Sequence, residues 1–215
     1  MEKSTNKKIN PQKNDAILTA AMMEFGLKGY AKGSTDAIAE LADVSKGTVF
    51  NYFDSKENLY VTAIQTAYET VLKEYDFDTW NDVHDFAELI VRSTNYKMKL
   101  ERKYPKEFKI IVHAYSELAI LPQSIQEKLG FIMQNSLDLS QKLSKKILGN
   151  MNIRKDVAPE IVEDYVMSVM GTMLNSVMRD IQTVPGEITE LGDIDKLIKK
   201  VKVYTSLLDE GIVAK

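Results

Sequence analysis

The sequence predicts an all-α protein, a small three-helix N-terminal domain followed by a larger helical one. Three observations lead there. Apolar residues recur at helical spacing, as in the series Ile17, Ala21, Phe25. Hydroxyl residues suited to N-capping, Thr35, Ser45 and Ser55, stand at the heads of successive helical stretches. No segment of useful length alternates with the period of a β-strand.

Taken in order, residues 1–10 are polar and aperiodic and are expected to form a flexible arm. A first helix starts at Pro11 and is expected to end at Gly26 and Gly29, with Tyr30 packing back from the turn. Thr35 reads as the cap of a short helix over 36–42, Ser45 as the cap of a second through Phe53, and Ser55 as the cap of a long one reaching the mid-seventies. These make a domain of residues 11–60 whose last helix continues to about 76. Residues 75–82 read as a linker or a frayed helix end. Beyond lie amphipathic runs over 83–103, 105–120, 123–149, 157–182 and 190–211, divided by Pro105, Pro122, Gly149-Asn150 and a segment holding Pro185 and Gly186. Residues 77–215 are thus expected to be a second helical domain.

Composition limits the function classes. With 215 residues, 44% of them hydrophobic, the chain can bury a sizeable core. The absence of cysteine excludes disulfides, thiolate metal sites and cysteine nucleophiles, and favours a reducing compartment. No apolar run follows the N-terminal lysines, and charges interrupt every apolar stretch before it could span a bilayer, so a cytoplasmic protein without a membrane partner is expected. His84 and His113 lack zinc-site spacing, and neither a GxSxG elbow nor a glycine-rich phosphate loop occurs. An enzyme is not expected, and no cofactor. The net charge is −3, and residues 1–60 balance eight lysines against eight acids, so charge alone does not announce a nucleic-acid partner.

The informative stretch is residues 35–60, TDAIAELADVSKGTVFNYFDSKENLY. Two short helices joined by a few residues cannot each bury a face alone and must cross against a third, here the helix from Pro11. Ala39 and Ala42 permit close approach, while Ile38, Val44 and Val49 fill the space between. The second short helix then projects and fits a DNA major groove. Its polar residues Ser45, Lys46, Thr48 and Asn51 offer hydroxyls, an ammonium and an amide, and Gly47 leaves room for close backbone approach. Tyr52 and Lys56 are placed to reach phosphates. The competing reading is a compact helical interaction or scaffold module with the same core logic and an ordinary solvated face.

Residues 12–60 resemble the N-terminal domain of the tetracycline-repressor (TetR) family of transcriptional regulators. The matching residues include Ile17, Ala20, Ala21, Phe25, Gly29, Tyr30, Thr35, Ile38, Ala39, Ala42, Val44, Ser45, Gly47, Tyr52, Phe53, Ser55, Lys56, Glu57 and Leu59. The resemblance implies that residues 35–42, headed by Thr35, position the recognition helix 45–51, and it places Thr35 among the DNA-facing candidates. Two residues depart from the family pattern. Asp43 replaces the usual glycine in the turn, where a left-handed backbone is expected, and Phe50 replaces the usual tyrosine.

The same resemblance implies a ligand pocket in the second domain and a dimer built from its last two long helices. Ligand candidates are Trp80, Phe86, Tyr96, Phe108, His113, Tyr115, Phe131, Met133 and Met170. Dimer candidates are Val166, Met170, Met173, Leu174, Val177, Leu197, Val201, Tyr204 and Leu208. The function expected is a ligand-responsive repressor. It would bind a palindromic double-stranded DNA operator as a homodimer and leave it on binding a hydrophobic or amphipathic small molecule. An activator, or a constitutive binder without a ligand, stays open beside it.

Overall fold

The computed structural model of the chain describes residues 10–74, 76–182 and 191–212. Their helices are α1 (Pro11–Lys32), α2 (Thr35–Leu41), α3 (Lys46–Phe53), α4 (Lys56–Leu72), α5 (Phe86–Lys103), α6 (Pro105–Glu117), α7 (Gln123–Asn150), α8 (Pro159–Gln182) and α9 (Leu191–Ile212). Short 3-10 turns at Phe77–Trp80 and Leu118–Ile120 complete the secondary structure of the described residues, which include no strand. The protein is all-α, as expected. The arm, apart from Asn10, lies outside the described residues, as do Pro185 and Gly186.

Local chemistry accounts for the helix starts. The Asn10 side chain accepts from Gln12 N and Lys13 N, and Pro11 stands where its missing N–H costs nothing. Ser45 Oγ accepts from Thr48 N at 3.1 Å and Ser55 Oγ from Asn58 N at 3.0 Å. The cap of α2 is Ser34, not Thr35. Ser34 has the extended backbone of a capping residue, and its Oγ accepts from Ala37 N. Its own N–H donates to the buried Glu24 carboxylate at 3.0 Å, which starts the helix one residue early and puts Thr35 inside it.

Two turn positions have left-handed backbone. Asp43, between α2 and α3, has φ 51°, as its place in the turn predicts, and Asp54 after α3 has φ 62°. Gly29 interrupts α1 with φ 72° and ψ −179°, and the helical turn resumes before Lys32. Gly26 does not terminate the helix. It is buried inside α1, where an added Cβ would lie 3.1 Å from Ile110 N, so it lets α1 and α6 approach backbone to backbone.

The chain divides into two compact units, and the division differs from the one expected at residue 77. One unit combines the chain up to Tyr75 with Leu100–Met133; the other combines Asp76–Lys99 with Gln134 onward. The physical reason is a shared core. Ile110, Ala114, Ile125 and Leu129 are buried in the same cluster as Ile17, Phe25, Ile38, Val49, Leu59 and Tyr60. Phe25 meets Tyr60 edge to face with ring centroids 5.0 Å apart. Lys128 and Ser124 hold Glu57, in the first turn of α4, at 2.8 and 3.0 Å. Those bonds keep its carboxyl below the usual carboxylate range.

In the other unit Trp80 is buried and meets the Tyr96 ring edge on at 5.9 Å. Asn150 donates its side-chain amide to the carbonyls of Asn81 and Val83, and Arg92 bridges Asp82 and Glu88. Helices α8 and α9 close on each other through Met173 and Val201, with Met170 and Tyr204 packed alongside.

Candidate nucleic-acid interface

Helix α3 presents Ser45, Lys46, Gly47, Phe50 and Asn51 as exposed positions, with Thr48 and Tyr52 half-buried and Val49 and Phe53 turned into the core. Six of the eight DNA-facing candidates therefore share one short projecting helix or its cap, four of them exposed and Thr48 and Tyr52 on its flank.

Several of these groups are already engaged. Ser45 and Thr48 hydroxyls are bonded to each other at 2.9 Å. Lys46 Nζ lies 2.8 Å from Asp36 Oδ2, an exposed pair joining α2 to α3. Such a pair contributes at most about 1 kcal/mol in water, so a phosphate can take the ammonium from Asp36 at little cost. The Tyr52 hydroxyl accepts from Asn10 N at 3.1 Å, which leaves its own proton to donate outward. Thus α3 clasps the head of α1.

Lys56 is half-buried. Its Nζ donates to Ala31 O at 3.3 Å and lies 4.9 Å from the centroid of the Tyr30 ring. Burial lowers the pKa of its ammonium, and the nearby carboxylates of Glu117 and Glu24 oppose that shift. Gly47 faces open space: an added Cβ would meet only Ser45 Oγ, at 3.8 Å. Nothing in the fold requires a glycine there.

Sequence reasoning missed the residues that hold this face in place. Asn10, Ser34 and Asp36 are polar residues whose partners lie on other elements, and Glu24 and Glu117 are buried carboxylates. Asn10 beside Pro11 carried a capping signal; the two glutamates carried none, because glutamate in a helix normally faces water.

Among the described side chains, the ligand candidates do not gather around one cavity. Tyr115 lines a narrow apolar cleft with Ile64, Tyr68, Ile111, Ala114, Leu129 and Ile132, of about 10 Å³, the room of a single water. His113 instead turns to α1 and donates Nδ1–H to Gly26 O at 3.2 Å. Phe108 is half-buried and Phe131 is 76% exposed. Trp80, Tyr96 and Met170 belong to the other unit, and the side chains of Phe86 and Met133 lie outside the described residues.

Burial within the chain differs among the dimer candidates. Val166, Met173, Val201 and Leu208 are buried within the chain, and Met170 and Tyr204 pack against the α8–α9 contact. Met173 and Val201 cover one another within the chain, while Met170 and Tyr204 stay half-buried. Among the described residues, the large apolar side chains exposed on the same helices are Ile161, Tyr165, Val203 and Leu207. The side chains of Leu174, Val177 and Leu197 lie outside the described residues.

A three-helix head with one polar, projecting second helix is the arrangement of a helix-turn-helix domain. Residues 17–63 match the family model of bacterial regulatory proteins, tetR family, so this segment is similar to that family. It is 28% identical over 123 residues to the uncharacterized HTH-type transcriptional regulator YvkB of Bacillus subtilis (strain 168), covering 54% of this chain and 63% of that one. It is 35% identical over 96 residues to the HTH-type transcriptional regulator RutR of Escherichia coli (strain K12), covering 44% and 43%. The chain thus spans less than two thirds of either relative. A protein of Saccharomonospora viridis described as a transcriptional regulator, solved in complex with choline, superposes with a TM-score of 0.68 at 13% identity, over 96% of this chain and all of that one. That likeness is one of fold.

Proposed function

We propose that the chain is a homodimeric, ligand-responsive repressor that binds a palindromic operator through Ser45, Lys46, Gly47, Thr48, Asn51 and Tyr52, with Thr35 and Lys56 at its margins. The observation that carries this reading is Gly47, an exposed glycine in the projecting helix that no internal contact demands. A glycine that the fold does not need fits a surface against which another backbone must lie closely.

One recognition helix reads only a few base pairs, so a twofold dimer is needed for a specific site. The exposed apolar residues Ile161, Tyr165, Val203 and Leu207 of α8 and α9 supply the contact. The effector is a hydrophobic or amphipathic small molecule entering the cleft beside Tyr115, which must widen to accept it, because drug-sized ligands occupy roughly 300 Å³ or more. Displacement of the recognition helices then breaks both half-site contacts together. No membrane role is proposed, and no described helix is long and apolar enough to cross one. Catalysis and a cofactor form no part of this reading.

Selection from a random duplex pool at near-physiological salt tests it. The expected result is an enriched palindrome with half-sites about one helical turn or more apart, bound with an affinity that falls steeply as salt rises. Retention without a motif would replace this reading with that of a helical interaction protein. The balanced charge of the head and the Lys46–Asp36 pair favour that alternative.

Gly47→Ala separates the two readings within the fold. Alanine should leave thermal stability unchanged or raise it by up to about 1 kcal/mol, since it is the better helix former. Operator affinity should fall about tenfold, the equivalent of about 1.4 kcal/mol. A lower Tm with unchanged DNA binding would show that the glycine serves the fold instead.

A further inference from the structure

Glu117 closes α6 and is 9% exposed. A buried carboxylate is costly unless its oxygens are bonded. Here Oε1 accepts from Tyr30 N at 2.9 Å and from the Tyr60 hydroxyl. The first donor lies just past the Gly29 break in α1, the second on α4. Oε2 points to the space that Gly29 leaves open: a Cβ there would lie 2.5 Å from Oε2 and 2.7 Å from His113 Nε2. Burial and the same carboxylate raise the Tyr60 pKa, so the phenol stays a neutral donor.

The elements Glu117 holds are those that carry Lys56. Tyr30 and Tyr60 rings meet at a 54° tilt with centroids 5.1 Å apart, and the Tyr30 ring lies under the Lys56 ammonium. Lys56 Nζ also bonds Ala31 O, one residue beyond the amide that Glu117 accepts. An apolar side chain of similar size could fill the same volume. Only a fixed acceptor sets the direction of the Tyr30 amide and the Tyr60 hydroxyl together.

We propose that Glu117 is a positioning residue for DNA binding: without touching DNA, it fixes the corner formed by Gly29, Tyr30 and Tyr60 and so places the Lys56 ammonium at the DNA face. The proposal rests on the DNA-binding reading above.

The test uses the full chain and the duplex recovered by selection, with affinity measured across a salt series. Glu117→Leu should weaken binding about tenfold at unchanged helical content and subunit mass, and reduce the salt slope by about one, as Lys56→Ala does. Combined with Lys56→Ala it should add almost nothing, because both changes remove one contact. Glu117→Gln keeps an acceptor oxygen and should fall between the parent and Glu117→Leu.

A purely structural role would lower the fraction of active protein and leave the slope untouched. Parental affinity and slope in Glu117→Leu overturn the proposal, as do effects fully additive with Lys56→Ala. If Glu117→Leu does not fold, Tyr60→Phe removes only the hydroxyl donated to Glu117. It should weaken binding at least threefold, and parental binding by it overturns the proposal equally. A parent chain that selects no duplex overturns the DNA-binding reading first and this proposal with it.

Discussion

Replacing Gly29 with alanine is expected to cost about 2–4 kcal/mol of folding stability. Two causes add. A residue with a Cβ at φ 72° and ψ −179° sits in a region nearly closed to L-amino acids, at about 1–3 kcal/mol. The new methyl carbon would also lie 2.5 Å from Glu117 Oε2 and 2.7 Å from His113 Nε2, so both side chains must leave their hydrogen bonds or the α1 break must move. Overpacking of this kind typically costs about 1–3 kcal/mol. Because domains of this size are stable by only about 5–15 kcal/mol, the urea midpoint should drop visibly. A loss under about 1 kcal/mol would mean that α1 tolerates a continuous helix at this point.

Ile110→Ala is expected to cost about 2–5 kcal/mol, the range for emptying a fully buried aliphatic site. Ile110 is completely buried, its backbone lies against Gly26, and it shares one core with Phe25, Tyr60 and Leu59. The informative readout is where the loss appears. Amide protection should fall throughout α1 and α4 as well as α6, because a residue in a common core destabilises all the elements that meet there. Protection lost in α6 alone would restore an autonomous head ending near residue 76. The same logic predicts that α6 conveys any disturbance at the cleft beside Tyr115 directly to α1, since both contacts are on one 13-residue helix.

Much of the fold was legible because its signals are local. Ser45 and Ser55 cap the helices they precede, and Asp43 adopts the left-handed turn that its place between two short helices requires. Proline and the amphipathic period set the later helices to within a few residues. Errors arose where two local solutions were nearly equal. Ser34 and Thr35 both carry a hydroxyl, and a carboxylate ten residues upstream of Ser34 decided between them. Gly26 and Gly29 both look like helix ends, yet one serves close packing and the other breaks the helix.

The candidate site divides in the same way. Its residues on α3 follow from residue type and helical phase, which place Ser45, Lys46, Gly47 and Asn51 outward once Val49 and Phe53 face in. Their partners follow from neither: Asp36 for Lys46, Asn10 for Tyr52 and Tyr30 for Lys56 come from other helices.

By itself the sequence determined the all-α class, the helix order and the two short helices of the head, because caps, turn residues and periodicity act within a few residues of one another. Only the tertiary structure decided that α6 joins the head, that Glu24 and Glu117 are buried, and that Met173 and Val201 pack against each other across α8 and α9 rather than facing outward. The reason is physical. An apolar stripe records that a helix must be covered but not by what, and a carboxylate is worth burying only where distant donors converge on it.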